Sequence, residues 1–309
     1  MRILALETSD KTGSVAAMAD GNLLAELMLD RTQRSAQSLA PAMQRLLIEV
    51  GWQPSNVQLV AVSIGPGSFT GLRVGVTAAK VFAYAAGAEV LGISTLDAIA
   101  ANAGTVPFFA SGTVPIFVSA KMGLSPSSTE PPPYGRNTPS AISVVIDAQR
   151  GEVVVQSFVR QADGWFEAAG PEELVDADAW LARLQAVGSR QSAVGSRQCE
   201  VASGLCMSNP APNLQVSKSP NSNPQSPIPN PFPNPSVVTG PGLVRLVDRL
   251  PPGVEALDER LWHPRAAVVG HLAVRYHAQG RRDDLWKLVP RYYRRSAAEE
   301  KWEARMAQT

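Results

Sequence analysis

Two cysteines in 309 residues, Cys199 and Cys206, are too few for a disulfide scaffold. Their separation matches neither a CxxC redox pair nor a zinc-ligand pattern. Histidine is equally scarce: His263, His271 and His277 form no His-Glu-x-x-His and no His-x-x-x-His. His271 and His277 lie six apart, so they do not share a helix face. No metal site is expected, and no Ser-His-Asp arrangement emerges. Aromatics make up only 6% of the chain, while alanine and glycine are abundant, which points to close packing of small side chains. The balance of 28 Lys and Arg against 27 Asp and Glu gives no bulk attraction to nucleic acid or a charged bilayer. No uninterrupted apolar run of about 18 residues is present to span a membrane. The opening run Ile3-Leu4-Ala5-Leu6 is closed by Glu7, too short for a signal h-region. The expectation is a soluble, cytoplasmic protein with no membrane partner.

The first hundred residues carry strong secondary-structure signals. Ile3 to Leu6 and Ser14 to Met18 read as strands. Asp20-Gly21 is a type I′ hairpin signal leading to a third strand, Asn22 to Leu29. Leu39, Met43, Leu46, Leu47 and Val50 recur at helical spacing over Ser35 to Val50, with Ser38 as the expected N-cap and Pro41 in the first turn. A continuously apolar strand follows, Val57 to Ile64, as in a sheet covered on both faces. Then come a helix from Thr70 to Ala86, a strand from Glu89 to Ile93 and a helix from Leu96 to Ala103. This order implies an α/β domain over residues 1–103, a mixed sheet flanked by helices.

Residues 104–140 hold seven prolines and three charged residues. Residues 186–236 contain the direct repeat Ala186 to Ser192 and Ala193 to Gln198, then an Asn/Pro/Ser tract. Such compositions bury too little apolar surface to offset chain entropy, so both segments read as insertions. Between and after them lie a hairpin (Ile142 to Ile146, Glu152 to Val159), helical stretches (Asp176 to Leu184, Arg265 to Gln279) and the turn Thr239-Gly240-Pro241-Gly242. A second, smaller α/β domain over 141–296, interrupted by 186–236 and followed by a tail 297–309, accounts for them.

The nine residues Gly65-Pro66-Gly67-Ser68-Phe69-Thr70-Gly71-Leu72-Arg73 join strand to helix. The glycines permit a tight turn, and Ser68 or Thr70 can cap the helix. Such a terminus suits an anion or a partner's backbone, and both uses stay open. It is neither a P-loop nor a dinucleotide fingerprint. Glu7-Thr8-Ser9, at the end of the first strand, could hold a metal–phosphate pair or serve as an acidic turn with two capping hydroxyls. Gly65, Gly67 and Ser68 are candidates for the same phosphate. Along the helix, Gly71, Gly75, Ala79 and Ala83 form a stripe of small residues that admits another helix closely. That helix could belong to a partner or to this chain. From Arg260 onward there are eleven basic and five acidic residues. Tyr292 and Tyr293 among Arg291, Arg294 and Arg295 fit either RNA stacking or a solvated basic end.

Taken in order, several phrases resemble one family. The start Arg2 to Ser9, the Gly-rich Gly65 to Arg73, the turn Asp147-Ala148-Gln149-Arg150-Gly151, Thr239 to Gly242 and Pro290 to Arg294 are similar to the TsaB (YeaZ) proteins. The resemblance spans about residues 1–103, 141–185 and 237–296. It implies a two-domain actin-like, Hsp70-like ATPase (ASKHA) fold. It also implies a non-catalytic subunit that heterodimerises with TsaD, joined by TsaE, in threonylcarbamoyl transfer to the adenosine beside the tRNA anticodon. The chain would contact tRNA only through that complex and carry no cofactor of its own, ATP being held at the level of the complex. A homodimer of the isolated chain stays open. In the family the first two helices meet TsaD, so the implied interface is Leu39, Met43, Leu46, Thr70, Gly71, Arg73, Gly75, Ala79 and Ala83. Glu7 stands where an Asp is usual, Ser35 where a His is common, and Gln149 where Arg or Met is common. The alternative is a stand-alone phosphotransferase acting through Glu7 and Thr8, or a metallopeptidase-like enzyme.

Overall fold

The computed structural model describes residues 1–30, 35–104, 139–195 and 236–293, with Trp302, Arg305 and Met306 beyond them. The first sheet comprises β1 (Arg2–Glu7), β2 (Ser14–Ala19), β3 (Asn22–Met28), β4 (Leu59–Gly65) and β5 (Glu89–Ser94), in the order β3-β2-β1-β4-β5. The first three strands form an antiparallel meander, and β4 and β5 join parallel to β1. Asp20 and Gly21 both take positive φ at the β2–β3 turn, as a type I′ hairpin requires. The second sheet contains β6 (Ala141–Gln149), β7 (Glu152–Arg160), β8 (Phe166–Ala168), β9 (Glu173–Asp176), β10 (Val237–Thr239) and β11 (Glu255–Ala256). Its order is β11-β10-β6-β7-β8, with β9 also pairing with β7. Again a hairpin comes first, and two later strands join parallel to its first member. The same connectivity thus occurs twice.

Among the described residues five α-helices cover the sheets: α1 (Ser35–Glu49), α2 (Phe69–Ala86), α3 (Thr95–Gly104), α4 (Ala177–Gly195) and α5 (Ala266–Ala278). Side chains alternate across a strand, and β1 sends apolar residues both ways. Leu4 and Leu6 pack under α1 and α2 with Leu39, Met43, Leu46, Val76 and Ala79. Ile3 and Ala5 pack on the other face against Ala266, Val269 and Leu272 of α5. Gly270 of α5 is needed there, because a Cβ would overlap the Met18 sulfur. In the second lobe α3 covers one face through Leu96, Ile99 and Ala103, and α4 covers the other through Trp180, Leu181 and Leu184.

Three expectations change. Residues 141–296 do not form one second domain, because α5 returns to the first sheet. Residues 281–293 then run on across the first lobe as a strap. Asp283 bridges to Val90 of the edge strand β5 and accepts from the Gly92 N–H at 2.8 Å. Leu288 is buried in the first core, and the Arg291 N–H donates to the Ile64 carbonyl at 2.6 Å. Second, α1 begins at Ser35, so Ser38 is not its N-cap and Pro41 sits inside the helix. Third, α4 runs on to Gly195, making the first copy of the direct repeat helical instead of part of an insertion. Residues 105–138 and 196–235, with Cys199 and Cys206, and Arg294 and Arg295 lie outside the described residues.

Candidate functional site

The Gly-rich turn closes against the end of β1. Ser68 caps α2, its hydroxyl accepting from the Gly71 N–H at 3.2 Å. The Ser68 N–H donates to the Ser9 carbonyl at 2.6 Å, and the Thr8 hydroxyl donates to the Gly71 carbonyl at 2.8 Å. A Cβ on Gly71 would overlap the Thr8 carbonyl oxygen, and one on Gly75 the Thr8 hydroxyl. Gly67, at φ +156°, lies against the Ser9 backbone, and Gly65, at φ +114°, against the Arg291 carbonyl. These glycines are there for close backbone approach within the chain.

Glu7, Thr8 and Ser9 are all buried. One carboxylate oxygen of Glu7 accepts from both the N–H and the hydroxyl of Ser9 at 2.5 Å, while Oε2 has no partner. Burial pushes the Glu7 carboxyl up to about 7, against the Ser9 hydrogen bonds that favour its charged form. The phosphate reading relied on these groups facing a ligand. They are instead turned inward and joined to each other and to α2.

The expected partner residues divide in two. Leu39, Met43 and Leu46 of α1 and Gly71, Gly75, Ala79 and Ala83 of α2 are buried in this chain's own core. Their assignment to an intermolecular contact is therefore corrected: the small stripe lets α2 sit on β1 and pack beside α1. Thr70 and Arg73 are exposed. The outward faces of the same helices carry large apolar side chains that the sequence reading did not single out. Ile48 of α1 is 71% exposed, Val81 and Tyr84 of α2 are 63% and 69%, and Trp286 of the strap is 71%. Tyr84 and Trp286 meet edge to face, ring centroids 5.6 Å apart. Lys80 ties the strap to α2 by donating to the carbonyls of Trp286 and Leu288, each at 3.1 Å. The available sequence signal was α2's other stripe, Arg73, Thr77, Val81 and Tyr84.

The basic segment at the end of the strap packs against both lobes. Tyr292 stacks on Phe69 at 4.6 Å, and Arg291 pairs with Glu172 at 3.0 Å. Tyr293 packs on the second core. These contacts engage Tyr292, Tyr293 and Arg291 of the basic segment, while Arg294 and Arg295 lie outside the described residues. His263 bonds to Asp10, and His277 to Glu89 at 2.8 Å. Burial alone would raise the Asp10 carboxyl, but the hydrogen bonds from His263 and the Lys11 N–H, with the positive charge beside them, together outweigh it and hold it low. Burial also pushes His271 down. Among the described residues no three His, Cys, Asp or Glu converge as a metal site requires, and no helix is long and apolar enough to cross a membrane.

Comparison with known proteins agrees with this architecture. The family model described as "TsaD: tRNA N6-adenosine threonylcarbamoyltransferase" matches residues 30–125. The chain is 27% identical over 185 residues to the tRNA threonylcarbamoyladenosine biosynthesis protein TsaB of Bacillus subtilis, covering 60% of this chain and 66% of that protein. It is 26% identical over 185 residues to the Escherichia coli protein of the same name, covering 60% and 67%. The chain therefore spans about two thirds of the length of these curated relatives. Among solved structures it is similar to YeaZ from Pseudomonas aeruginosa, with a TM-score of 0.58 and 21% identity over 94% of this chain and 99% of that one. Repeated connectivity, flanking helices and a Gly-rich turn sealed onto the first strand define a two-lobed protein of the actin-like ATPase (ASKHA) fold. Within that class the chain is similar to the TsaB (YeaZ) proteins.

Proposed function

We propose that this chain is a non-catalytic subunit that acts in tRNA threonylcarbamoyladenosine synthesis by heterodimerising with TsaD, with TsaE joining the pair. One observation carries the reading: α1 and α2 turn large apolar side chains, Ile48, Val81 and Tyr84, to solvent on adjacent helices. Apolar area of this kind is characteristic of a protein-binding face. The name of the two curated relatives supplies the process. The chain contributes shape. Nucleotide and tRNA adenosine are handled by the complex, and tRNA reaches this chain only through it. The stand-alone phosphotransferase reading needs Glu7 and Thr8 at a bound phosphate, and both are buried in hydrogen bonds to their own neighbours.

Reconstitution tests the reading. Threonylcarbamoylation of tRNA by TsaD, TsaE and ATP is measured with and without this chain. Modification that depends on the chain, and is lost with the double variant Ile48→Asp/Val81→Asp while Glu7→Gln retains it, is the expected result. Modification that proceeds equally without the chain, or is abolished by Glu7→Gln in a folded protein, would count against it.

A further inference from the structure

Arg73 is held in an unusual way for an exposed arginine. Its guanidinium carbon lies 4.0 Å from the centroid of the Phe69 ring and 5.8 Å from that of Tyr292. Its Nε donates to the Tyr292 hydroxyl at 3.1 Å. Among the described residues no carboxylate pairs with it. Stacking and the Nε bond fix the plane of the guanidinium and leave the two Nη groups as an unclaimed fork. That is the edge a carboxylate takes end-on with two parallel hydrogen bonds.

The fork stands at one end of the apolar face. Arg73 and Tyr84 are eleven residues apart on α2, just over three full turns, so they share one side of the helix about 17 Å apart. Trp286 and Val289 of the strap, both exposed, extend that face alongside. Along α2 and residues 285–293 the face carries cations and no acid: α2 contains Arg73 and Lys80 but no Asp or Glu, and residues 285–293 contain none either. Two copies meeting through this face would bury Arg73 without a carboxylate to receive it, an uncompensated desolvation. A different partner offering one would match it.

Resting on the partner reading above, we propose that the Arg73 fork pairs across the interface with a carboxylate of a hetero partner. That partner lays an apolar helix along α2, its anchor against Tyr84 and Trp286. Its acid lies about three helical turns from that anchor. Phe69 and Tyr292 are positioning residues: by ordering the guanidinium beforehand they cut the entropy lost on docking.

Titration calorimetry of the full chain against TsaD at low and high salt tests this. Arg73→Gln is expected to weaken binding by about ten-fold or more and to flatten its salt dependence. Tyr292→Phe, which keeps the charge and the ring, is expected to weaken it by a few-fold. Arg73→Glu is expected to be rescued by reversing the facing acid on the partner. Unchanged urea midpoints of the variants exclude misfolding as the cause. The inference is overturned if Arg73→Gln binds as tightly as the parent chain, with the same salt dependence, while Ile48→Asp abolishes binding. In that case the partner reading survives without the fork. Absence of any binding by the parent chain would instead overturn the partner reading, and this inference with it.

Discussion

Glu7 puts a carboxyl at the end of β1, where burial makes its charge costly. It is fully buried, one oxygen is held by Ser9, the other has no partner, and its carboxyl is pushed up to about 7. The linkage has a definite sign. The folded state holds the proton more tightly than the unfolded chain, so stability is highest below about pH 4.5 for this group and falls as pH rises through about 7. Glu7→Gln removes that penalty. By urea denaturation the variant should match the parent near pH 4 and exceed it at pH 8 by about 1–3 kcal/mol. An equal pH dependence in both proteins would show that Glu7 is not the titrating group. At Gly71 the expected direction is opposite. A Cβ there meets a backbone carbonyl that cannot move aside, so Gly71→Ala should cost about 3 kcal/mol, visible as a lower urea midpoint. The two positions differ in how far sequence reaches. That Gly71 allowed close approach was legible from its spacing with Gly75. That Thr8, and not a partner helix, made the approach was not, because the contact joins residues more than sixty positions apart.

Elements were legible where periodicity was strong, and their faces were not. The spacing of Leu39, Met43 and Leu46 identified α1, and the short apolar runs of β1 and β2 with the Asp20-Gly21 turn identified the meander. On α2, however, the small stripe and the Arg73, Thr77, Val81, Tyr84 stripe both fit a buried or a docking face. Residue size alone does not say which side meets the sheet. The strap escaped altogether: a single pass along an edge strand has no period, and its basic charge suggested solvent or RNA. Two predictions belong to this scale. Ile48→Asp and Val81→Asp, on outward faces, should change stability by no more than about 0.5 kcal/mol each. Larger losses of urea midpoint would mean these side chains support the fold. Leu288→Ala should cost about 2–4 kcal/mol, because Leu288 is packed over Ile64 and Gly92 in the first core. A neutral result would mean that the strap is only loosely attached.

Across the whole molecule, the same strand order is laid down twice, and in each lobe a Gly-Pro-Gly turn backs onto the first strand. Gly240 and Gly242 approach Val145 and Asp147 of β6 much as Gly67 and Gly71 approach Ser9 and Thr8 beyond β1. The duplication was readable in outline from two hairpins, each followed by a Gly-Pro-Gly. The boundary was not, because α5 and the strap pass back to the first lobe after the second is complete, and only tertiary contacts record that return. The result joins both lobes through one long excursion and leaves exposed apolar side chains on α1, α2 and the strap, with the pre-ordered Arg73 on α2. The central claim is that this surface is where the chain works. Sedimentation velocity of the purified chain mixed in equal amounts with TsaD from the same source tests it most directly. The account predicts a one-to-one heterodimer that Ile48→Asp/Val81→Asp dissolves into two folded monomers. Two sedimenting species for the parent chain, with ATP and TsaE present or absent, would contradict it.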